Sequence, residues 1–164
     1  MRDGGRGYPD LHEHLALLNA RGLLLTIDEP IDKDAELHPL VRWQFVGGLD
    51  EPERKAFLFT NITDGRGRKY KMPVVVGAIA ANRAIYSAGM GAPVEEIQAK
   101  WDHAIAHPVA PRVVTKAVCH EVVITGAALK GEGNGLDMLP IPISTPGFDS
   151  APTLTATNVI TRDP

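Results

Sequence analysis

Residues 11–27 read LHEHLALLNARGLLLTI, which is a helical pattern followed directly by a strand pattern. Leucines recur in its first part at intervals of four and three residues, a spacing that places them on one helix face. These leucines are Leu11, Leu15 and Leu18. The apolar run 23–27 that follows predicts a strand. A helix joined to a strand in this way indicates a mixed α/β fold.

The flanking residues predict where this first helix begins and ends. Asp10 is predicted to cap its start, with Glu13 three positions on, and Arg21-Gly22 to end it. The same criteria predict further helices at 38–48, 82–88 and 92–107 and strands at 56–59 and 73–77. In the last of these helices we expect a buried stripe, composed of Val94, Ile97, Trp101 and Ala104.

The pattern changes at residues 108–111, where two prolines in four residues favour an extended connector. We place a domain boundary here, between an α/β domain at 1–110 and a second part at 111–164. The second part has strand patterns at 119–125 and 153–161, with a glycine-rich loop and a proline-punctuated segment between them. It therefore predicts the start of a β domain.

Composition limits the classes of function. The chain has 164 residues, of which 44% are hydrophobic, enough to bury a core. A net charge of −3 disfavours nucleic acid and anionic membranes as partners. A single cysteine and a polar start without a signal peptide predict a cytoplasmic protein, and no apolar run approaches the ~20 residues of a membrane helix.

The clusters of reactive residues do not form a recognisable site. His103 and His107 lie four apart on a predicted helix but have no third ligand nearby, so we interpret them as a helix-end pair. Cys119, His120 and Glu121 alternate faces of a predicted strand and cannot converge on one substrate atom. The basic residues of 66–71 are interpreted as a solvated hairpin tip. We therefore predict neither catalytic residues nor a metal site in this chain.

The segment 139–149 is too rich in proline for a helix and too apolar for an exposed loop, so we expect it to be held against other structure. Behind it, Thr153, Thr155 and Thr157 alternate along a predicted strand and share one face. They could offer hydroxyl groups to a ligand, or they could be present only because threonine favours strands.

These residues resemble the UbiD-like decarboxylases, enzymes that use prenylated FMN. The matching stretches are LDMLPIP at 136–142, Thr145-Pro146 with Asp149, Thr155-Ala156 and VITRDP at 159–164. They are similar to the segment that enters the flavin-binding domain of that family. Residues 11–25, 57–59, 73–78, 82–83 and 89–91 are similar to its N-terminal α/β domain.

The resemblance implies that residues 111–164 are the first strands of an incomplete split β-barrel. It also implies a complete enzyme that reversibly decarboxylates aromatic or α,β-unsaturated acids with prenylated FMN, manganese and potassium. A flavin prenyltransferase would supply the cofactor, and the complete protein would be a homo-oligomer.

By the same resemblance, Thr155 matches a threonine that lines the flavin pocket, and Thr157 is its neighbour on that face. The family usually has glycine where Thr157 stands. Its metal-binding asparagine, its catalytic arginine and its two glutamates would follow Pro164. We therefore expect the chain alone to be inactive and to be a fragment of a longer polypeptide. The alternative is a non-catalytic assembly subunit of a multi-chain carboxylase.

Overall fold

The computed structural model describes residues 10–110, 113–116, 120–130, 134–145, 147, 149 and 151–153. Its helices are α1 (Leu11–Ala20), α2 (Leu37–Val46), α3 (Arg83–Met90) and α4 (Ile97–Ala106). Its strands are β1 (Leu24–Ile27), β2 (Ile31–Asp32), β3 (Ala56–Phe59), β4 (Ile62–Thr63), β5 (Lys69–Tyr70) and β6 (Val74–Val76). The predicted helices and the longer strands before residue 110 are confirmed, and so is the α/β class.

The strands form two small sheets with related topology. In the larger, β1 pairs parallel with β3, and β6 pairs antiparallel with β3, in the order β1-β3-β6. In the smaller, β2 pairs parallel with β4, and β4 pairs antiparallel with β5. Helix α2 connects β2 to β3, so it is the crossover that a parallel pair of strands requires.

Both parallel pairs are interrupted at the same level, at residues 28–30 of one chain segment and 60–61 of the other. Backbone hydrogen bonds bracket the interruption, from Thr60 N to the carbonyl of Ile27 and from Ile31 N to the carbonyl of Asn61, each at 3.0 Å. The hydroxyl of Thr60 also donates to Oδ1 of Asp28 at 2.5 Å. The two sheets therefore continue one another across a short break.

The larger sheet has an apolar cluster on each face. Successive strand residues point to opposite faces, so Ala56 packs with Leu18 and Ile85 of α1 and α3, whereas Phe57 and Phe59 pack beneath α2. The first cluster is rich in alanine, which lets the two helices approach the sheet closely. The result is three layers, with α1 and α3 on one side of the sheet and α2 on the other.

Two helices are capped by side chains. Asp10 accepts a hydrogen bond from Glu13 N at 3.0 Å, as predicted. Asn82 caps α3 by accepting from Ile85 N at 2.7 Å, and its amide also donates to the carbonyl of Arg54 at 2.7 Å. The buried Asn82 side chain therefore begins α3 and also links it to the residues before β3.

Two predicted helix faces are partly wrong. On α1, Leu18 is buried but Leu11 is 54% exposed. In the last helix only Ile97 of the predicted stripe is buried, and Trp101 is 47% exposed. The 3-10 turn Val94–Glu96 changes the angular phase of Val94 relative to α4. Trp101 and Ala104 do share a face with Ile97, but only Ile97 of that face is buried. The indole of Trp101 then lies at the surface, where its N–H donates to the hydroxyl of Tyr86 at 3.2 Å.

The strand predicted at 119–125 is also wrong for the part that is described. Residues 120–125 form turns and unpaired extended backbone, and 3-10 turns follow at Gly126–Lys130 and Gly135–Met138. A strand requires a neighbouring strand for its backbone hydrogen bonds. Among the described residues beyond 110, none pairs in a sheet. The split β-barrel and the boundary at 110 and 111 stay predictions.

Candidate functional site

The β4–β5 hairpin carries the most organised group of polar side chains. We define the hairpin cluster as Lys33, Asp64, Arg68 and Tyr70. One carboxylate oxygen of Asp64 accepts the backbone N–H groups of Arg66 and Arg68, each at 3.0 Å. The other accepts the hydroxyl of Tyr70 at 3.1 Å. Asp64 therefore fixes both the turn and the tyrosine, and the basic residues of 66–71 lie at a hairpin as predicted.

The surroundings of the hairpin cluster lower the pKa of Asp64 and raise the pKa of Tyr70. Partial desolvation raises the pKa of Asp64, but the N–H groups of Arg68 and Arg66 and the Tyr70 hydroxyl outweigh it, so that pKa lies below its usual value. Desolvation, followed by the hydrogen bond to Asp64, raises the pKa of Tyr70. Tyr70 therefore stays a neutral donor and Asp64 a charged acceptor over the physiological range.

Lys33 is a buried cation at the edge of the same hairpin. Its ammonium lies 2.5 Å from Oδ1 of Asp34 and 5.8 Å from the centre of the Tyr70 ring. A buried lysine requires such a partner, because an unpaired charge away from water is costly. The carboxylate and the aromatic face together account for its burial.

The chain just before the proline-rich segment contacts this hairpin. Pro140 is buried and residues 141–145 are half-buried. The guanidinium of Arg68 donates to the carbonyl of Asp137 at 2.5 Å. Further along, Thr145 N donates to Oδ2 of Asp149 at 2.6 Å, and Asp149 N donates to the carbonyl of Thr145 at 2.9 Å. The expectation that other structure holds this segment is thus confirmed.

A second polar connection joins the segment to α2. His38, in the first turn of α2, is half-buried, and Asp149 is close enough to act on its charge. Desolvation lowers the pKa of His38 from 6.5, and the Asp149 carboxylate partly offsets this by raising it. The imidazole is consequently held in its neutral form near pH 7.

This arrangement predicts a pH dependence of stability. Because its pKa is lowered in the folded chain, His38 binds a proton more readily when unfolded. The free energy of unfolding should therefore fall as pH drops below 6.5, and should level off below the folded pKa. Urea titrations of the wild-type chain and of His38→Gln at pH 7.5 and below would measure the difference. A His38 resonance titrating above 6.5 would contradict it, and Asp149→Asn should lower its pKa further.

An apolar surface cavity of about 270 Å³ opens between α1 and α3. Its lining residues are His14, Ile79, Tyr86, Gly89 and Met90. The Nε2 atom of His14 lies 2.7 Å from the carbonyl of Ala78, which fixes the ring. His14 lies four residues before Leu18 and hence on the leucine face of α1, but an apolar pattern alone does not predict a buried histidine. The cavity suits an apolar group and has few polar atoms to orient one.

Of the residues singled out from the sequence, only some lie within the described ranges. Thr155, Thr157 and Cys119 lie outside the described residues. His103 and His107 are exposed at the end of α4, with ring centres 4.2 Å apart, which fits a helix-end pair. Within the described ranges, no group of three or more His, Cys, Asp or Glu side chains could hold a metal ion.

The helices that the structure describes are at most 10 residues long, and none is both long and apolar enough to cross a membrane.

Several known proteins are similar to this chain. Residues 15–105 match the family model of the 3-octaprenyl-4-hydroxybenzoate carboxy-lyase N-terminal domain. The UbiD-class enzyme HmfF from Pelotomaculum thermopropionicum, in complex with FMN, is 30% identical with a TM-score of 0.61, over 84% of this chain and 27% of that one. An evolved dimeric form of HmfF, in complex with prFMN, is 26% identical with a TM-score of 0.60, over 85% of this chain and 29% of that one.

The vanillic acid decarboxylase of Sedimentibacter hydroxybenzoicus, in open form with a truncated second subunit, shares the fold. It is 22% identical with a TM-score of 0.52, over 66% of this chain and 22% of that one. The chain spans about a quarter of the length of these enzymes. Because the family match covers more than half of the 164 residues, the chain belongs to the UbiD family and carries its N-terminal domain.

Proposed function

We propose that the chain is the N-terminal part of a reversible UbiD-like decarboxylase that acts on aromatic or α,β-unsaturated carboxylic acids with prenylated FMN. The observation that carries this is the family match over residues 15–105. The likeness to HmfF, whose structures contain FMN and prFMN, supports the cofactor. Prenylated FMN, when bound, supplies an electron sink for the loss of carbon dioxide.

In this proposal the α/β domain, residues 1–110, shapes one side of the substrate cleft and supports the flavin-binding part, residues 111–164. The contact of Arg68 with Asp137 favours this, because it joins the α/β domain to the chain just before the proline-rich segment. Proton transfer and metal binding would fall to residues beyond this chain. The 164 residues alone would then be inactive.

The remaining parts of the proposal concern the complete protein. Manganese and potassium would accompany the flavin, and a flavin prenyltransferase would supply it. The complete enzyme would be a cytoplasmic homo-oligomer. An evolved dimeric form exists for HmfF, which supports an oligomer of related geometry.

Thr155 is proposed to contact the flavin, with Thr157 beside it. In the complete enzyme, Thr155→Val should reduce the flavin content of purified protein several-fold, because valine keeps the shape but removes the hydroxyl. Flavin absorbance per mole of protein would measure this, with the melting temperature as the test of intact folding. Thr125→Val, at an exposed threonine outside this strand, is the matched control and should leave the flavin content unchanged. If wild-type and Thr155→Val protein held the same amount of flavin, Thr155 would not contact the cofactor.

The whole proposal is tested on the natural protein. We would measure its intact mass, and then its release of carbon dioxide from a panel of aromatic and unsaturated acids after co-expression with a flavin prenyltransferase. A mass well above that of 164 residues together with turnover is the expected result. A natural protein of this length without flavin or turnover would instead indicate the non-catalytic assembly subunit.

A further inference from the structure

Arg68 makes a contact that joins distant parts of the chain. Its guanidinium donates to the main-chain carbonyl of Asp137 at 2.5 Å, across 69 residues of sequence. Asp137 lies in the 3-10 turn Gly135–Met138, immediately before the proline-rich segment. The contact therefore fixes one point of the main chain just where the segment begins.

The arginine is held in position before it reaches that carbonyl. Its guanidinium stacks over the Tyr70 ring, with 4.9 Å between the guanidinium carbon and the ring centre. Asp64 accepts both the Tyr70 hydroxyl and the Arg68 backbone N–H, at 3.1 and 3.0 Å. One carboxylate thus orients both the backbone that carries the arginine and the ring on which it rests. A side chain arranged in this way loses less conformational entropy when it binds.

The chain that follows Asp137 is unusually stiff. Pro140 and Pro142 have fixed φ angles, and Pro140 is buried. The amide groups of Leu139 and Ile141 also bond locally, to the carbonyls of Leu136 at 3.0 Å and Leu139 at 2.8 Å. Because little rotation is available after the fixed point, the direction of the segment depends on where Asp137 is held.

From this geometry we infer that Arg68 is a positioning residue, which fixes the flavin-binding part to the α/β domain at Asp137 and so sets the direction of the proline-rich segment that follows. The inference rests on the proposed function in so far as residues 111–164 carry the cofactor. Arginine suits the role better than lysine, because a planar guanidinium can stack on an aromatic ring and donate in its plane at the same time.

Hydrogen exchange of the 164-residue chain tests the contact directly. In Arg68→Ala, exchange of the Leu139 and Ile141 amides should be faster by about tenfold, the effect expected from losing a hydrogen bond to a charged group. The amides of β1 and β3 should keep their rates. Arg68→Lys should lie between wild type and Arg68→Ala, and Arg66→Ala, in the same turn, is the matched control without effect. Unchanged exchange at both amides in Arg68→Ala would overturn the contact.

The positioning role requires a second readout, in the natural protein co-expressed with a flavin prenyltransferase. Arg68→Ala should carry at most half the flavin of wild type at an unchanged melting temperature, and Arg68→Lys should recover part of it. Full flavin content in Arg68→Ala would overturn the positioning role even if exchange is faster. If the wild-type protein itself holds no flavin, the proposed function fails, whereas the exchange result still decides whether the contact exists.

Discussion

Replacing Phe59 by alanine should lower the free energy of unfolding by about 3–5 kcal/mol, the range for removing a fully buried aromatic side chain. Phe59 is completely buried in β3. Its ring stacks on that of Phe57 at 5.7 Å and packs with Leu37 and Ile62 in the cluster beneath α2. Alanine would leave a cavity between α2 and the sheet, so the contacts of α2 with the Phe59 ring would be lost. A domain of this size has only about 5–15 kcal/mol of stability, so much of it would be lost.

Urea unfolding monitored by circular dichroism would measure this loss. Trp43→Ala is the matched control, because it removes a larger aromatic side chain from the exposed face of α2, where Trp43 is 69% exposed. We expect that change to cost less than about 1 kcal/mol, as is usual for surface substitutions. If Trp43→Ala cost as much as Phe59→Ala, the assignment of the inner face of α2 would be wrong.

Replacing Gly77 by alanine is the second change with a large expected effect. Gly77 follows β6 with φ at +77°, a conformation that side chains disfavour. A Cβ atom there would lie 3.1 Å from the Cβ of Ala81 and 3.5 Å from the carbonyl of Lys55. Backbone strain and crowding together should cost about 2–6 kcal/mol, because each contributes about 1–3 kcal/mol.

Gly67 provides a control with the same backbone angle. It also has φ at +77°, but a Cβ atom there would meet nothing within 4 Å. Gly67→Ala should therefore show only the backbone term, about 1 kcal/mol. The difference between the two midpoints in urea isolates the contact with Ala81. If both variants lost the same free energy of unfolding, Ala81 would have to move away from Gly77 without cost.

The sequence was sufficient for the parts of the fold that depend on local pattern. The cap at Asp10 and the helices after it follow from residue spacing, and the longer strands follow from short apolar runs such as 56–59. Strands β2, β4 and β5 have two residues each, too few for any alternation to show. Trp101 was misassigned because it shares a helix face with Ile97, but only Ile97 of that face is buried.

The candidate site was less accessible from the sequence. The basic residues of 66–71 indicated a hairpin, but Arg68 binds a main-chain carbonyl, and any residue type could have supplied that acceptor. No pattern in residues 134–138 therefore pointed to it. The proline content of 139–149 did predict that the segment is held, because stiff apolar chain is rarely left in solvent. What holds it depends on tertiary packing, which residue spacing does not encode.

The break shared by the two parallel pairs limits how the chain can vary in length. Residues 28–30 are exposed, and an exposed connection usually tolerates an inserted residue. Here, however, Ile31 must meet Ile62 in register just after the break. One extra residue on one side only would turn Ile31 from the core to solvent, because strand side chains alternate. Length at 28–30 and at 60–61 should therefore change together or not at all.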